Sequence, residues 1–340
     1  MTLRLGINGF GRIGRNVLRA LMTRDPGAFQ VVAINDLAPL ETAAHLFEFD
    51  SVHGRYGNRV TWGNGQMDVG RGPIRVTAER DPAKLPWADV DIALECTGHM
   101  TDPIHAEAHL KNGAGRVLIS GPAKGAAKTV VYGINHQSLS TADRLVSNGS
   151  CTTNCLVPMV HILNEAFGIR QGMMTTVHCY TNSQSLTDTA HDDLYRARAG
   201  ALSMVPTSTS ASHTLDQVLP HLAGRITSHA IRVPTPDVSC CDLVVTLEKS
   251  TCVEEVNDAF RAAAAGTLRG VVGVTDRKLV SSDFRGDPHS AIFATDQTRL
   301  QGGTLLRVLA WYDNEWAFSN RMLDTAAVMG ATIQSRRASL

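Results

Sequence analysis

Through the first third of the chain, short apolar runs alternate with segments whose apolar residues recur at helical spacing. Residues 3–7 form an apolar run that ends in a glycine cluster, and residues 12–24 carry Ile13, Val17, Leu18 and Leu21 one helix turn apart. Residues 31–34 read as a second strand ending at Asn35-Asp36, followed later by a strand at 91–96, a helical stretch near 101–112 and a strand at 116–120. Strands alternating with helices predict a parallel sheet wrapped by helices. Residues 55–75, with Tyr56, Val60, Trp62, Met67, Val69, Ile74 and several glycines, read as hairpins inserted into that pattern. After residue 150 the pattern changes. A helix from about 151 to 166 precedes a strand at 171–178 and a polar stretch to about 205, and strand-like runs follow at 230–234, 242–247, 271–274 and 304–312 with few helices between them. The expectation is an α/β chain of two domains: residues 1–149, completed by a C-terminal helix at about 315–340, and an α+β domain at 150–314 with a mostly antiparallel sheet.

Composition narrows the function classes. The 340 residues are 43% hydrophobic and 19% charged, ordinary for a globular protein and too apolar for a disordered one. Lys plus Arg and Asp plus Glu both number 32, so no charge surplus points to nucleic acid or an acidic membrane, and 5% aromatics offer little surface for base stacking. The seven cysteines, at 96, 151, 155, 179, 240, 241 and 252, contain no C-x-x-C pair and no disulfide spacing, so no metal site is expected. No run of about 18 apolar residues appears, and the structured pattern begins within three residues of the start, leaving no room for a signal peptide. The expectation is a cytoplasmic protein with free thiols.

Two motifs carry chemistry. Gly9-Phe10-Gly11-Arg12-Ile13-Gly14 lies between a strand and a helix, where glycines permit a tight turn and a pyrophosphate sits at the positive helix N-terminus. Asp36 closes the next strand about 20 residues on, placed to accept hydrogen bonds from ribose hydroxyls and to repel a 2′-phosphate. The first domain therefore reads as a Rossmann-type site for NAD rather than NADP or FAD. The second motif is Ser150-Cys151 at the start of a predicted helix, with Ser150 as N-cap. Unpaired backbone N–H groups and the helix dipole stabilise a thiolate in that first turn. Taken alone, Cys151 reads equally well as a packing residue, and Cys155, one turn deeper, reads better as one. His178 ends an apolar strand, where an imidazole can pair with a thiolate and shuttle a proton, although spacing alone does not couple it to Cys151.

The chain strongly resembles the phosphorylating glyceraldehyde-3-phosphate dehydrogenase family. The ordered set INGFGRIGR at 7–15, IND at 34–36, FDSVHGRY at 49–56, SNGSCTTNCL at 147–156, RVPTPDVS at 232–239 and WYDNEW at 311–316 carries the likeness over nearly the whole length. The resemblance implies that Cys151 attacks an aldehyde to give a thiohemiacetal. It makes His178 the general base, and it implies a thioester that inorganic phosphate cleaves to an acyl phosphate, 1,3-bisphosphoglycerate. Ser150, Thr152, Thr181, Arg196, Thr209, Ser210 and Arg232 would hold the phosphates of substrate and attacking anion. Read without the family, Arg196 is a solvated helix face, the Ser and Thr residues are turn chemistry, and Arg232 interrupts an apolar run and needs a buried partner. For the cofactor the resemblance adds Arg12, Ile13, Arg80, Ser120 and Asn314 to the glycines and Asp36, with Asn314 holding the nicotinamide carboxamide. Its Asp-Asn setting also suits a turn or N-cap. The family further implies a homotetramer. Erythrose-4-phosphate dehydrogenase, another aldehyde-phosphate dehydrogenase and a catalytically idle binding paralogue are the competing readings, and Thr181, Cys151 and His178 speak against them.

The sequence departs from the family pattern at several places. Gly149 stands for the usual alanine, Ser210 for a glycine, His213 for a lysine and Ser183 for an acidic residue, which bears on the phosphate sites. A serine at 210 would not suit a glycine-only backbone conformation. Thr189-Ala190 replaces a Leu-Pro pair common in NAD-specific members, so some use of NADP is expected beside NAD.

Overall fold

The computed structural model describes residues 2–24, 27–123, 125 and 127–338. The backbone forms two compact units, Met1–Gly149 with Ser319–Leu340, and Ser150–Phe318.

In the first unit a nine-stranded sheet runs in the order Lys128–Thr129, Leu145–Ser147, Arg116–Ile119, Ile92–Glu95, Leu3–Asn8, Phe29–Asn35, Pro73–Thr77, Gln66–Asp68, Thr61–Gly63. The first seven are parallel; the last two close an antiparallel hairpin at the edge, within the stretch read as hairpins. Ile92–Glu95 and Arg116–Ile119 are buried at every position, as strands covered on both faces must be. The helices of this unit are α1 (Arg12–Met22), α2 (Leu40–Glu48) and α3 (Pro103–Lys111). Leu3–Asn8 pairs with Phe29–Asn35 on one side and with the later Ile92–Glu95 on the other. The strand order reverses there, and in open parallel sheets ligands bind outside the carboxyl ends of the strands at such a point.

The second unit holds α4 (Cys151–Phe167), α5 (Ala211–Val218), α6 (Val253–Ala265) and an eight-stranded sheet. Its order is Val205–Thr207, Ile226–Val233, Ile169–Cys179, Ser239–Leu247, Leu305–Tyr312, Ala291–Ala294, Val272–Thr275, with Arg299–Gln301 hydrogen-bonded to Leu305–Tyr312. Most pairs are antiparallel, but Ile169–Cys179 with Ile226–Val233, and Val272–Thr275 with Ala291–Ala294, run parallel. The pattern reading passed over Ala291–Ala294, a wholly buried strand whose Phe293 stacks on Phe260 of α6. Four residues without alternation carry too little periodicity to announce a strand.

The last helix, α7 (Trp316–Ala338), begins where expected; residues 339–340, included in the expected helix, lie outside the described residues. Its stretch in the first unit buries Met322, Leu323, Ala326 and Met329. Arg116, itself only 3% exposed, donates to the carbonyl of Met329 at 3.0 Å and to Thr332 at 2.6 Å, and Thr325 donates to Asn148 at 2.7 Å.

Candidate active site

In the first unit a cavity of about 430 Å³ opens at the carboxyl ends of the central strands, lined among others by Gly9, Gly11, Asp36, Arg80, Thr97 and Met100. The glycine loop is shaped by contact. A Cβ on Gly9, whose φ is +88°, would press into the Thr97 backbone, and one on Gly14 would collide with the Gly9 carbonyl; beside Gly11 the space is open. Helix α1 therefore starts hard against the strand with its N-terminal N–H groups unobstructed by side chains, the setting a pyrophosphate needs. One Asp36 carboxylate oxygen accepts from the Phe10 N–H at 2.6 Å and the other from the Ala38 N–H at 2.9 Å. Asp36 thus braces the loop while still lining the cavity, and a carboxylate there suits ribose hydroxyls. The residues present fit a dinucleotide.

Other expected cofactor residues take further roles. The Arg12 guanidinium ion-pairs with buried Asp50. Burial would raise the Asp50 carboxyl, but the Arg12 hydrogen bond and the N–H groups of His53 and Val52 hold it down at about 2. Ile13 is half-buried in the first turn of α1, and Arg80 is exposed on the cavity rim. Ser120 hydrogen-bonds the Cys96 thiol with its side chain and the Glu95 carbonyl with its N–H.

In the second unit Cys151 is the first residue of α4, and Ser150 caps that helix by accepting from the Thr153 N–H at 3.1 Å. Cys151 Sγ lies 3.5 Å from His178 Nε2. His178 and Arg232 are register partners on adjacent parallel strands, so the sheet sets their side chains together. Arg232 donates to His178 Nδ1 at 2.7 Å and to the Cys179 carbonyl at 3.0 Å. A guanidinium only donates, so Nδ1 accepts in this arrangement and the ring hydrogen sits on Nε2, facing the sulfur. The Cys179 carbonyl, 2.8 Å from Nδ1, offers the other tautomer, in which Nε2 keeps its lone pair and can take a proton.

Electrostatics match this geometry. Burial pushes the Cys151 thiol up to about 11, against the pull of the Arg232 charge and of Thr152. Burial and the same charge bring His178 down to about 3, the Cys179 backbone pulling the other way. The pair rests neutral, with a cation beside it that favours the thiolate once a proton leaves.

The expected anion-holding residues are only partly assembled. The Thr152 hydroxyl points into the core and meets the Tyr312 hydroxyl at 2.9 Å, which in turn meets Thr176 at 2.8 Å. What Thr152 offers an anion is its backbone N–H at the helix start. Arg196 reaches Thr207 through Nε at 3.1 Å and Nη2 at 2.9 Å, and Thr181 pairs with Ser183 at 3.0 Å. Thr209 accepts from the Ala211 N–H at 3.3 Å at the start of α5. Ser210 there has φ −87°, an ordinary conformation, so the concern that serine replaces an obligatory glycine does not materialise. His213 is exposed on that helix, 3.4 Å from Gln217, and Gly149 has φ +63°, where glycine suits better than alanine.

Sequence reasoning missed Tyr312, Thr176, Ser239 and Val238. Ser239 accepts from the Cys179 N–H at 3.1 Å and donates to Asn314 Oδ1 at 3.0 Å, which turns the Asn314 amide hydrogens away from these partners. Asp313 caps α7 by accepting from Glu315 and Trp316 N–H groups, so the turn reading of Asp-Asn holds for its first residue. Val238 sits at φ +66°, rare for a β-branched residue, held by Phe284 and Ile292. The only signal for Tyr312 was its place in a buried strand, where a phenol must find a partner.

A glycine-rich nucleotide pocket on a doubly wound sheet, together with an α+β unit in which a cysteine at a helix start meets a histidine at a strand end, fits a dehydrogenase with a dinucleotide cofactor. Residues 3–103 match the family model described as glyceraldehyde 3-phosphate dehydrogenase, NAD binding domain, and residues 150–314 match its C-terminal domain. Relatives named glyceraldehyde-3-phosphate dehydrogenase are 58% identical in Cereibacter sphaeroides and 56% in Xanthobacter flavus, each over 97% of this chain and 99% of the relative. One from Pseudomonas aeruginosa is 52% identical over the same shares. The chain belongs to the glyceraldehyde-3-phosphate dehydrogenase family, and its cofactor is NAD.

Proposed function

We propose that this protein carries out the NAD-dependent phosphorylating oxidation of D-glyceraldehyde 3-phosphate to 1,3-bisphosphoglycerate, in the glycolytic or gluconeogenic direction. The observation that carries the residue assignment is the 3.5 Å approach of Cys151 Sγ to His178 Nε2 at the start of a capped helix. His178 takes the thiol proton as Cys151 adds to the aldehyde carbon, and its Nε2–H then supports the oxyanion and passes it that proton, which gives the thiohemiacetal hydroxyl and a neutral imidazole. As the carbon is oxidised, His178 removes the hydroxyl proton, leaving a thioester on Cys151. Bound NAD supplies the acceptor for the hydride that leaves. Inorganic phosphate attacks the thioester, forms the acyl phosphate and returns the thiolate. Arg232, Arg196, Thr181, Thr209, Ser210, Ser150 and the Thr152 N–H are the donors we assign to the two phosphates, in the fork and hydroxyl chemistry that phosphate prefers. Asp36 disfavours a 2′-phosphate, and Thr189-Ala190 leaves residual NADP use.

Self-assembly, as a homotetramer, is part of the same reading. It is supported by Leu186, Leu194, Tyr195, Leu202 and Met204, apolar side chains left 61–82% exposed on one long polar segment. The seven free thiols fit a reducing compartment, and we assign the protein to the cytoplasm. Among the described residues no helix is long and apolar enough to cross a membrane.

The test is NADH formation from glyceraldehyde 3-phosphate with and without inorganic phosphate, beside erythrose 4-phosphate, NADP and Cys151→Ser. Phosphate-dependent turnover that favours the triose and falls at least 10³-fold in the variant is expected. Preference for the tetrose, or turnover indifferent to phosphate, would move the protein to another aldehyde substrate.

A further inference from the structure

Beneath the nucleotide pocket runs a buried polar chain that no step above uses. The Trp87 indole N–H donates to His109 Nδ1 at 2.7 Å, and His109 Nε2 lies 3.0 Å from Glu95 Oε2. An indole only donates, so Nδ1 accepts, and the ring hydrogen sits on Nε2 and goes to Glu95. Asn8 Nδ2 donates to the same oxygen at 2.6 Å, while Glu95 Oε1 accepts from the Thr97 N–H at 2.8 Å and from the Thr97 hydroxyl. Trp87, Glu95 and His109 are all within 1% of full burial. The chain continues outward: Asn8 Oδ1 accepts from Asn35 at 2.9 Å, and Asn35 Oδ1 accepts from the Thr77 hydroxyl and the Glu79 N–H at 2.8 Å each. Asn8, Asn35, Glu79 and Thr97 line the cavity; Trp87, Glu95 and His109 lie behind it.

A buried carboxylate is costly unless its lone pairs are filled, and here every donor that fills them belongs either to a cavity-lining residue or to the His109–Trp87 pair. A mere core filler at position 95 would be cheaper as an apolar side chain. We propose that Glu95, oriented by His109 and Trp87, is a positioning residue that fixes Asn8 and Thr97 in the cavity wall and thereby sets the affinity for the dinucleotide. The inference rests on the reading that this cavity holds NAD. Its effect is preorganisation: the wall does not have to be ordered when the ligand arrives. The chemical step, which belongs to Cys151 and His178, should be indifferent to it.

The experiment measures the Kd of NAD by calorimetry, and kcat at saturating NAD, in the full chain. It compares Glu95→Gln, His109→Leu, His109→Gln and Thr97→Val, with Asp36→Ala as the control for the pocket. Glu95→Gln and His109→Leu should weaken NAD about tenfold while kcat stays within about twofold. His109→Gln should come back to within about twofold of wild type, because its amide oxygen can accept from Trp87 while its NH2 donates to Glu95. Should Glu95→Gln fail to fold, Thr97→Val, which removes one donor at the cavity wall, is expected to weaken NAD about threefold. If Asp36→Ala weakens NAD but Thr97→Val and the position-95 and position-109 variants do not, the positioning role is wrong and the pocket stands. If Asp36→Ala leaves the Kd unchanged, the pocket reading fails and takes the inference with it. A loss of kcat at saturation as large as the loss of affinity would also overturn it.

Discussion

At the scale of single residues, the charge of Arg232 is what distinguishes this cysteine–histidine pair from one merely packed together. It lies 2.7 Å from the imidazole and lowers the proton affinity of both His178 and Cys151. Removing it should therefore move both titrations in the same direction. In Arg232→Gln, alkylation of Cys151 by iodoacetamide, a neutral reagent that needs no anion site, should show its whole pH profile displaced to higher pH by about one unit or more. A profile that stays in place would mean that the guanidinium does not act on the pair. Val238 makes a different point. A β-branched residue at φ +66° stores on the order of 1–3 kcal/mol of strain, and it stands between Asp237 and the Ser239 that orients Asn314. Nothing in the letters VPTPDVS announces it, and the residues that share its buried cluster, Phe284 and Ile292, are distant in sequence.

At the scale of elements, the N-terminus of α4 is pinned by Tyr312, whose hydroxyl joins Thr152 of that helix to Thr176 of the strand that ends in His178. One phenol thus couples the element bearing Cys151 to the element bearing His178. Tyr312→Phe leaves two buried threonine hydroxyls without it, and should cost about 1–3 kcal/mol in urea unfolding. It should also lower kcat several-fold with little change in the KM for NAD. A stability loss with kcat untouched would reduce Tyr312 to packing. The glycine turn, Asp36, the capped start of α4 and the change from parallel to antiparallel strands are local patterns of spacing and residue type, and they were legible. Tyr312 with Thr152, Arg12 with Asp50, Arg196 with Thr207 and Glu95 with His109 are pairs chosen by sheet register and helix docking. No local spacing encodes such partners, and a buried hydroxyl or carboxylate signals only that some partner must exist.

At the scale of the molecule, the apolar side chains of residues 186–204 argue for a partner surface. Leu194 and Leu202 are each 82% exposed, unusual for leucine on a lone chain. Replacing both with Asp should yield a smaller species by light scattering at micromolar concentration, with the fold retained by circular dichroism. An unchanged mass would show that the segment is not part of an interface. A second whole-chain property follows from the course of the backbone. The first unit is not finished by residue 149: Arg116 awaits the carbonyl of Met329, Asn148 awaits Thr325, and Leu3 awaits the close approach of Gly330. During synthesis on the ribosome, an N-terminal domain ordinarily folds as soon as it emerges. Here the NAD-binding half must wait, with part of its core uncovered, while residues 150–318 are translated and folded. Released chains that end at residue 318 should therefore be cut by protease in the first unit and spared in the second, reversing the usual order in which a protein becomes safe from the cell around it.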